Sequence, residues 1–324
     1  MNARRWVVIS TVFLAAAANA TPRWQQHRDD VARSAYAAAP VPKLLTALTE
    51  TRGGPEAQVM LQALALRKAE ALPSVKERLR TGPMFEKFMV TKFLRYCPWP
   101  ETMPELVALA RDKTQHWLPR QGALYALGAL GDKAAGRDVA EVLREPDCPH
   151  GVQLVAIAAL ARMNYREGKD VVRAFAQHKD IHARLFVARA LAEFGEAVDQ
   201  GFVTASLQSK DYIVRQEACE LLAFAPDATA PLEQMSRTDP HEAVRDTAGR
   251  ALLERKLRGQ QATAKTAILR EALPQAQPRT VAWIIRTMLE QGGKEGRALV
   301  EELAERNDHV GERSRVGLVL AGGR

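Results

Sequence analysis

Histidine is the residue type whose spacing in this 324-residue chain points most directly to chemistry. Imidazole binds transition metals and titrates near neutral pH, so a regular row of histidines is typical of metal binding or pH sensing. Of the seven histidines, five recur at spacings of 34, 32, 59 and 68 residues: His116, His150, His182, His241 and His309. The best cluster for one metal ion combines Cys148, His150, His178 and His182.

A metal site in this row meets a geometric objection. Helices of successive repeating units pack about 8–10 Å apart, whereas zinc requires donor atoms that converge at about 2 Å. We therefore predict no metal and no other cofactor. The alternative that stays open is an accessory enzyme, or a metal- or cofactor-handling protein, that uses this His/Cys edge.

The three cysteines, Cys97, Cys148 and Cys219, give no support to redox chemistry. They include no Cys-x-x-Cys pair, the spacing of thioredoxin-like motifs and of c-type haem attachment. A disulfide needs Cα atoms within about 7 Å. The repeat register described below assigns Cys97 and Cys148 to opposite edges of a stack, and Cys219 to the inside of a helix. We expect three free thiols.

Motifs for catalysis are missing from the sequence. It contains no Gly-x-Ser-x-Gly elbow, no phosphate-binding loop and no zinc-protease motif. We therefore predict that the protein is not an enzyme, and that its function depends on a binding surface.

The elements that carry these residues follow from an internal repeat. A pattern of Arg, two residues, a small or β-branched residue, three residues and Leu recurs at spacings of 33, 31, 31 and 30 residues. Its copies start at Arg120, Gln153, Arg184, Arg215 and Arg245, and looser copies start at Lys87, Arg279 and Arg313. Such a period indicates a solenoid, in which each unit packs only against its neighbours.

Each unit is predicted to be a helical hairpin. The i, i+3, i+7 spacing places the marked residues on one face of a helix A. A break rich in Gly, Pro or Asp follows, and then a second amphipathic segment, helix B. The 54 alanines and the low aromatic content of 6% suit closely packed helices rather than sheets. We predict an all-α solenoid of about eight or nine hairpins.

Three segments carry a resemblance to a known repeat family. They are Asp180-Ile-His-Ala-Arg184, Asp211-Tyr-Ile-Val-Arg215 and Asp239-Pro-His-Glu-Ala-Val-Arg245. The pattern resembles short HEAT-like repeats of about thirty residues, as in phycobilin lyases, and extends over most of residues 57–320. The resemblance implies that the repeated Asp and Arg are structural and tie neighbouring units together. It is specific for architecture and weak for function.

The N-terminus predicts export. Arg4 and Arg5 precede an apolar segment from Trp6 to Ala18, and Ala18-Asn19-Ala20 has the small-x-small pattern of a signal peptidase site. We expect a signal peptide at 1–20, an N-terminal tether and cap at 21–55, and the solenoid at 56–324. The mature protein would be periplasmic or secreted, with no transmembrane segment.

A binding surface is predicted on the helices B, which we expect to line the inner curve of the solenoid. The formal charge is +8, and +6 without the leader, a mild excess that allows an acidic protein partner or an anionic envelope surface and demands neither. The predicted export argues against nucleic acid as the partner. Basic residues recur along these helices. The candidate binding residues are Lys76, Arg80, Arg111, Lys113, Arg137, Arg144, Lys169 and Arg173, with Lys294 and Arg297 further along. The predicted function is an exported scaffold for protein–protein interaction without catalysis.

Overall fold

The structure is a computed structural model that describes residues 22–50 and 55–322. The predicted signal peptide lies outside the described residues. The described segments contain helices and turns and no strand. The α-helices are α1 (Arg23–Arg33), α2 (Ala35–Ala38), α3 (Val41–Glu50), α4 (Pro55–Leu66), α5 (Lys68–Thr81), α6 (Met84–Tyr96), α7 (Met103–Arg111), α8 (Trp117–Leu130), α9 (Gly136–Leu143), α10 (His150–Arg162), α11 (Lys169–Arg173), α12 (Ile181–Glu193), α13 (Gln200–Leu207), α14 (Tyr212–Leu222), α15 (Thr229–Thr238), α16 (Glu242–Leu257), α17 (Ala262–Ala272), α18 (Pro278–Gln291), α19 (Gly293–Leu303) and α20 (His309–Gly322).

From α4 onward the even-numbered helices are the predicted helices A and the odd-numbered ones are helices B. Helices α4 to α19 make eight hairpins, and α20 is a final helix A. The predicted all-α solenoid is therefore confirmed. None of the described helices is long and apolar enough to cross a membrane. Helices α1 to α3 precede the first hairpin, and the division into leader, cap and repeat segments stays a prediction.

Short polar contacts start the helices A at their predicted positions. The Asp180 carboxylate accepts the backbone N–H of His182 at 3.1 Å, and Asp211 accepts that of Ile213 at 2.8 Å. Each aspartate is the N-cap of its helix and satisfies a donor that the first helical turn leaves free. The predicted structural role of these aspartates is confirmed.

In several units the repeated arginine fastens helix A to the hairpin around it. Arg215 donates to both oxygens of Asp239, at 2.7 and 3.0 Å, and to the carbonyl of Ser209 at 2.9 Å. Arg120 makes the equivalent contacts, with both oxygens of Glu145 at 2.9 and 2.7 Å. Asp239 is almost fully buried, so the bidentate pair joins two units where water does not screen it.

Successive helices A approach one another closely because their contact faces carry small residues. Ala123, Ala156 and Ala190 are buried between them. A side chain at Gly122 of α8 would collide with the Thr91 hydroxyl of α6, and one at Gly128 would lie 3.1 Å from the Cα of Ala159. Small residues, alanine above all, thus set the short distance between successive helices A.

The array closes on itself. Helix α20 packs against α1 and α4 as well as against α18, and α3 packs against α6. Trp24 of α1 joins the apolar cluster of the C-terminal units, and Leu320 of α20 joins that of the N-terminal units. The backbone N–H of Arg23 donates to the Glu305 carboxylate at 2.7 Å. The first and last units are therefore neighbours in the fold.

The prediction that helices B line the inner curve is wrong. Helices A from both ends of the array, α4, α6, α18 and α20, line one cavity to which no described helix B contributes. From α6 to α16, successive helices A also pack more extensively against each other than successive helices B do. Small residues shorten the arc of the layer of helices A, and the helices B lie on the outside.

Two glycine substitutions test this account of the inner layer. Gly122→Ala should destabilise the protein by about 1–3 kcal/mol, because α6 and α8 must separate to admit a methyl group. Gly249→Ala is the matched control in α16, where an added Cβ meets nothing within 4 Å. The control should stabilise by about 1 kcal/mol through helix propensity alone. Urea midpoints measure both, and equal effects at the two sites would contradict close packing at Gly122.

Candidate functional site

The closure forms a cavity of 530 Å³ between the first and last units. Its walls come from α3, α4 and α6 on one side and from α18 and α20 on the other, with Arg250 of α16 at the margin. Most of the wall is apolar and includes Leu61, Phe93, Trp283 and Leu320. A large apolar cavity with a few convergent polar groups is the usual form of a ligand site.

All the charged groups on the cavity wall are cationic. Lys92, Arg279, Arg286 and Arg313 line it together with Arg250, and no carboxylate is among the described lining residues. Arg250 is paired with Glu220 at 2.8 Å, whereas the other four make no ion pair in the described part of the chain. Moreover, Nε of Arg313 is buried and has no hydrogen-bond partner.

Arg279 and Arg313 thus have a different role from the one that the repeat pattern gave them. In the last unit Arg315, not Arg313, donates to backbone carbonyls at the end of the preceding helix, to Ala304 at 2.7 Å and to Arg306 at 3.0 Å. The sequence copies at Arg279 and Arg313 are therefore out of register, although helices A do occur there. The copy at Lys87 is in register, because Lys87 is the fourth residue of its helix, as Arg120 is. Because neither arginine holds the end of the preceding helix, both can line the cavity.

Beyond the cavity, the interior is a mixed-charge network on the helices A. Burial lowers the pKa of Arg162, and the neighbouring cations Arg95 and Arg189 lower it further. Burial raises the pKa of Glu254, an effect that Arg189 and Arg250 oppose. Arg250 also donates to Glu220, which pairs with Arg189 as well. Arg189 and Arg250 thus share an acidic partner in this part of the interior, whereas Arg95 lies over the ring of Tyr125.

The predicted basic residues on the helices B lie outside the cavity, and most are engaged in ion pairs. Lys76 and Arg80 of α5 both approach Glu105 of α7 at 3.6 Å. Lys169 pairs with Glu196 at 2.8 Å. The remaining pairs are Arg111 with Asp138, Arg144 with Glu141, and Arg173 with Asp170 and Glu196. Several of these pairs bridge successive units, and Lys113 and Arg137 are simply exposed. Their role in partner binding stays a prediction.

The structure divides the predicted His/Cys cluster. The rings of His150 and His178 stack with centroids 5.2 Å apart, and His150 Nε2 lies 2.8 Å from an Asp180 oxygen. One donor atom from each of these three residues lies within 4.8 Å of the others, a group that could hold a metal ion. His182 turns away to Glu217, at 2.9 Å. Cys148 is also not part of the group.

The three cysteines are buried, and no disulfide joins any two of them, as expected. Burial raises the pKa of Cys148 to about 11 and that of Cys219 to about 12. A protonated, buried thiol is a poor nucleophile and a poor metal ligand. The thiols therefore belong to the core, and the sequence-based rejection of redox chemistry agrees with their surroundings.

A second surface feature is a row of exposed large apolar side chains, which we call the aromatic edge: Met84, Phe85, Trp117, Tyr212 and Ile213. All five are the first or second residue of a helix A, and helices A run in the same direction, so the side chains share one edge of the stack. Histidines extend it, since His116 lies beside Trp117 and His241 stacks on Tyr212. Sequence reasoning noted the histidines at these positions and missed the apolar residues among them.

Comparison with known proteins identifies the repeat. The HEAT repeat family matches residues 140–223. This segment of the chain is similar to HEAT repeats. Among solved structures, the complex of CpcE and CpcF of phycocyanin lyase from Nostoc sp. PCC7120 is similar with a TM-score of 0.51 at 16% identity, over 71% of this chain and 92% of the other. That likeness concerns the fold.

Two further solved structures are more distant. Human deoxyhypusine hydroxylase in complex with glycerol has a TM-score of 0.31 at 16% identity, over 73% of this chain and 92% of the other. Kap121p bound to Pho4p has a TM-score of 0.33 at 12% identity, over 93% of this chain and 42% of the other. No curated protein matches the chain. Because the similar structures include a lyase, the fold by itself leaves catalysis open.

The pair of His182 and Glu217 predicts a pH-dependent contribution to stability. Burial by itself lowers the pKa of His182, but the hydrogen bond that its ring donates to Glu217 and the charges of nearby carboxylates raise this pKa above the ordinary 6.5. Because the folded-state pKa is raised, the stabilisation is fully present below pH 6.5 and is lost as the pH rises through the folded-state value. His182→Gln should therefore cost about 0.5–1 kcal/mol at pH 6.5 and less at pH 9.

Urea midpoints at the two pH values measure this effect. Glu217→Gln serves as the reciprocal control, since it should remove the same pH dependence while leaving the imidazole in place. A cost of His182→Gln that is the same at both pH values would show that the pair contributes no charge interaction.

Proposed function

We propose that the protein is an exported, non-catalytic scaffold that binds a protein partner along the aromatic edge. The observation that carries this proposal is the concentration of exposed large side chains at the starts of the helices A. Trp117 is 44% exposed and Tyr212 is 38% exposed. Trp and Tyr are enriched among residues that dominate binding energy, and Met and Phe are enriched at interfaces. A HEAT-repeat solenoid supplies the rigid, extended support that such a row needs.

The charge at this edge favours an acidic partner. Lys113, Lys179 and Lys210 are exposed in the turns that lead into α8, α12 and α14. Two aspartates of the same turns, Asp180 and Asp211, already accept backbone N–H groups. The positive ends of several helix dipoles also point to this edge. A partner with apolar anchors and carboxylates would complement it.

Export is part of the proposal and is supported by the sequence of residues 1–20 alone. The charged start, the apolar segment and Ala18-Asn19-Ala20 together match a cleavable leader. The association of CpcE with CpcF, and of Kap121p with Pho4p, illustrates that solenoids of this kind form complexes with other proteins. CpcF and Pho4p are partners of those proteins.

Site-specific photo-cross-linking tests the proposal. A photoreactive amino acid at position 117 or 213 should give the same adduct in the periplasmic fraction. The matched control is position 237 on helix B α15, where Arg237 is exposed. Reversal of Lys113, Lys179 and Lys210 to Glu should reduce the adduct at least tenfold. Equal adducts at 237, or no effect of the reversal, would count against the edge, and the same reversal at Lys169 and Arg173 then tests the predicted basic strip.

Metal handling is the second candidate, favoured by the group His150, His178 and Asp180. Two imidazoles and a carboxylate are a donor set that suits a first-row transition metal. Titration with Zn²⁺ should then show one bound ion per chain, lost in the variant His150→Ala/His178→Ala. His116→Ala/His241→Ala is the matched control, because those histidines occupy similar repeat positions without converging. Zinc binding that both variants retain, or none in the native protein, rejects this site.

A further inference from the structure

The cavity at the closure has a chemical character that the proposed scaffold function does not use. It belongs to the interior of the array, whereas the aromatic edge lies at the starts of the helices A. Its wall joins residues from the two ends of the chain, such as Leu48 and Leu320. A ligand in this cavity would thus contact both ends of the solenoid.

Four of the five cations of the cavity lack an acidic partner among the described residues. The fifth, Arg250, pairs with Glu220, and exposed arginines of the helices B such as Arg111 and Arg173 also pair with carboxylates. Lys92, Arg279 and Arg286 are exposed and Arg313 is half-buried; none of the four makes an ion pair with a described residue, and the buried Nε of Arg313 has no acceptor. An unsatisfied buried donor costs free energy, so this wall favours an anion.

The rest of the wall favours an apolar body attached to that anion. The same wall includes aliphatic and aromatic side chains: Leu61, Met89, Phe93, Ile285, Leu289 and the flat indole ring of Trp283. A volume of 530 Å³ lies within the range of sites for single small molecules, about 300–1,000 Å³. A compact inorganic anion would leave this apolar surface wet, and a neutral hydrocarbon would leave the guanidinium groups without acceptors.

We propose that the cavity binds a single-chain amphiphile with an anionic head, the acyl chain on the apolar wall and the head at Arg279, Arg286 and Arg313. The head could be the carboxylate of a free fatty acid or the phosphate of a single-chain phospholipid, and both present the same oxygens to guanidinium donors. Arginine suits either head, because its planar fork donates two parallel hydrogen bonds.

Calorimetric titration of the full protein with four probes tests whether the cavity binds such an amphiphile. The two anionic amphiphiles are kept below their critical micellar concentrations. The probes are dodecanoate, a lysophosphatidylglycerol, dodecanol and inorganic phosphate. Binding of dodecanoate or the lysophospholipid is expected, and whichever binds more tightly identifies the source of the head group. Dodecanol and phosphate should bind at least tenfold more weakly, because each supplies half of the required chemistry.

Variants locate the site. Arg279→Gln/Arg286→Gln should weaken binding of the anionic probes at least tenfold. The affinity of this variant for dodecanoate should then approach its affinity for dodecanol. The matched control is Arg237→Gln/Arg270→Gln, on helices B α15 and α17, which should leave binding unchanged. A dodecanoate brominated on its chain should quench tryptophan fluorescence in the native protein and much less in Trp283→Phe. That readout is independent of the arginine variants.

Three results would overturn the proposal: no binding of either anionic probe, equal affinity for dodecanol and dodecanoate, or equal losses in the two arginine double variants. None of these bears on the aromatic edge, because cross-linking at positions 117 and 213 reports on a different surface.

Discussion

The close approach of successive helices A is the constraint on which the rest of the structure depends. Small residues at the contact, such as Gly122 and Ala156, allow backbones to pack where larger side chains would hold them apart. Buried polar pairs, of which Arg215 with Asp239 is the clearest, then fix each helix against its neighbours. A short inner layer and a longer outer layer force the stack to curve toward the helices A. Continued over eight hairpins, that curvature brings the last helix to the first.

Closure decides which surfaces remain for binding. It brings the cationic faces of α18 and α20 opposite the apolar faces of α4 and α6, and so creates the cavity. It places the helices B on the outside, where Lys76, Lys169 and Arg173 join neighbouring units through ion pairs. The ends of the helices A form the edges of the ring, and one edge carries exposed aromatic residues. Each surface thus has a distinct chemistry that follows from its place in one packing arrangement.

Histidines at similar positions of the repeat have different roles in different units. His116 and His241 accept backbone N–H groups at their helix starts. His182, at nearly the same repeat position, pairs with Glu217, while His150 stacks on His178 and contacts Asp180. The repeat brings histidines to one edge at intervals of one or two units. Among the described residues, convergence occurs only where the turn before α12 contributes an additional histidine, His178, toward the preceding unit.

The sequence by itself determined the fold class, the number of hairpins, the separation of the three cysteines from one another and the capping role of Asp180 and Asp211. These properties are local or periodic, and a regular spacing of apolar, small and capping residues encodes them directly. Tertiary structure alone decided that the helices A face inward, because apolar periodicity identifies the buried face of each helix but not the direction in which two layers curve. It also decided that Arg279 and Arg313 meet Leu48 and Phe93 in one cavity. Residues so far apart along the chain become neighbours only when small differences in helix spacing, summed over the whole array, close the ring.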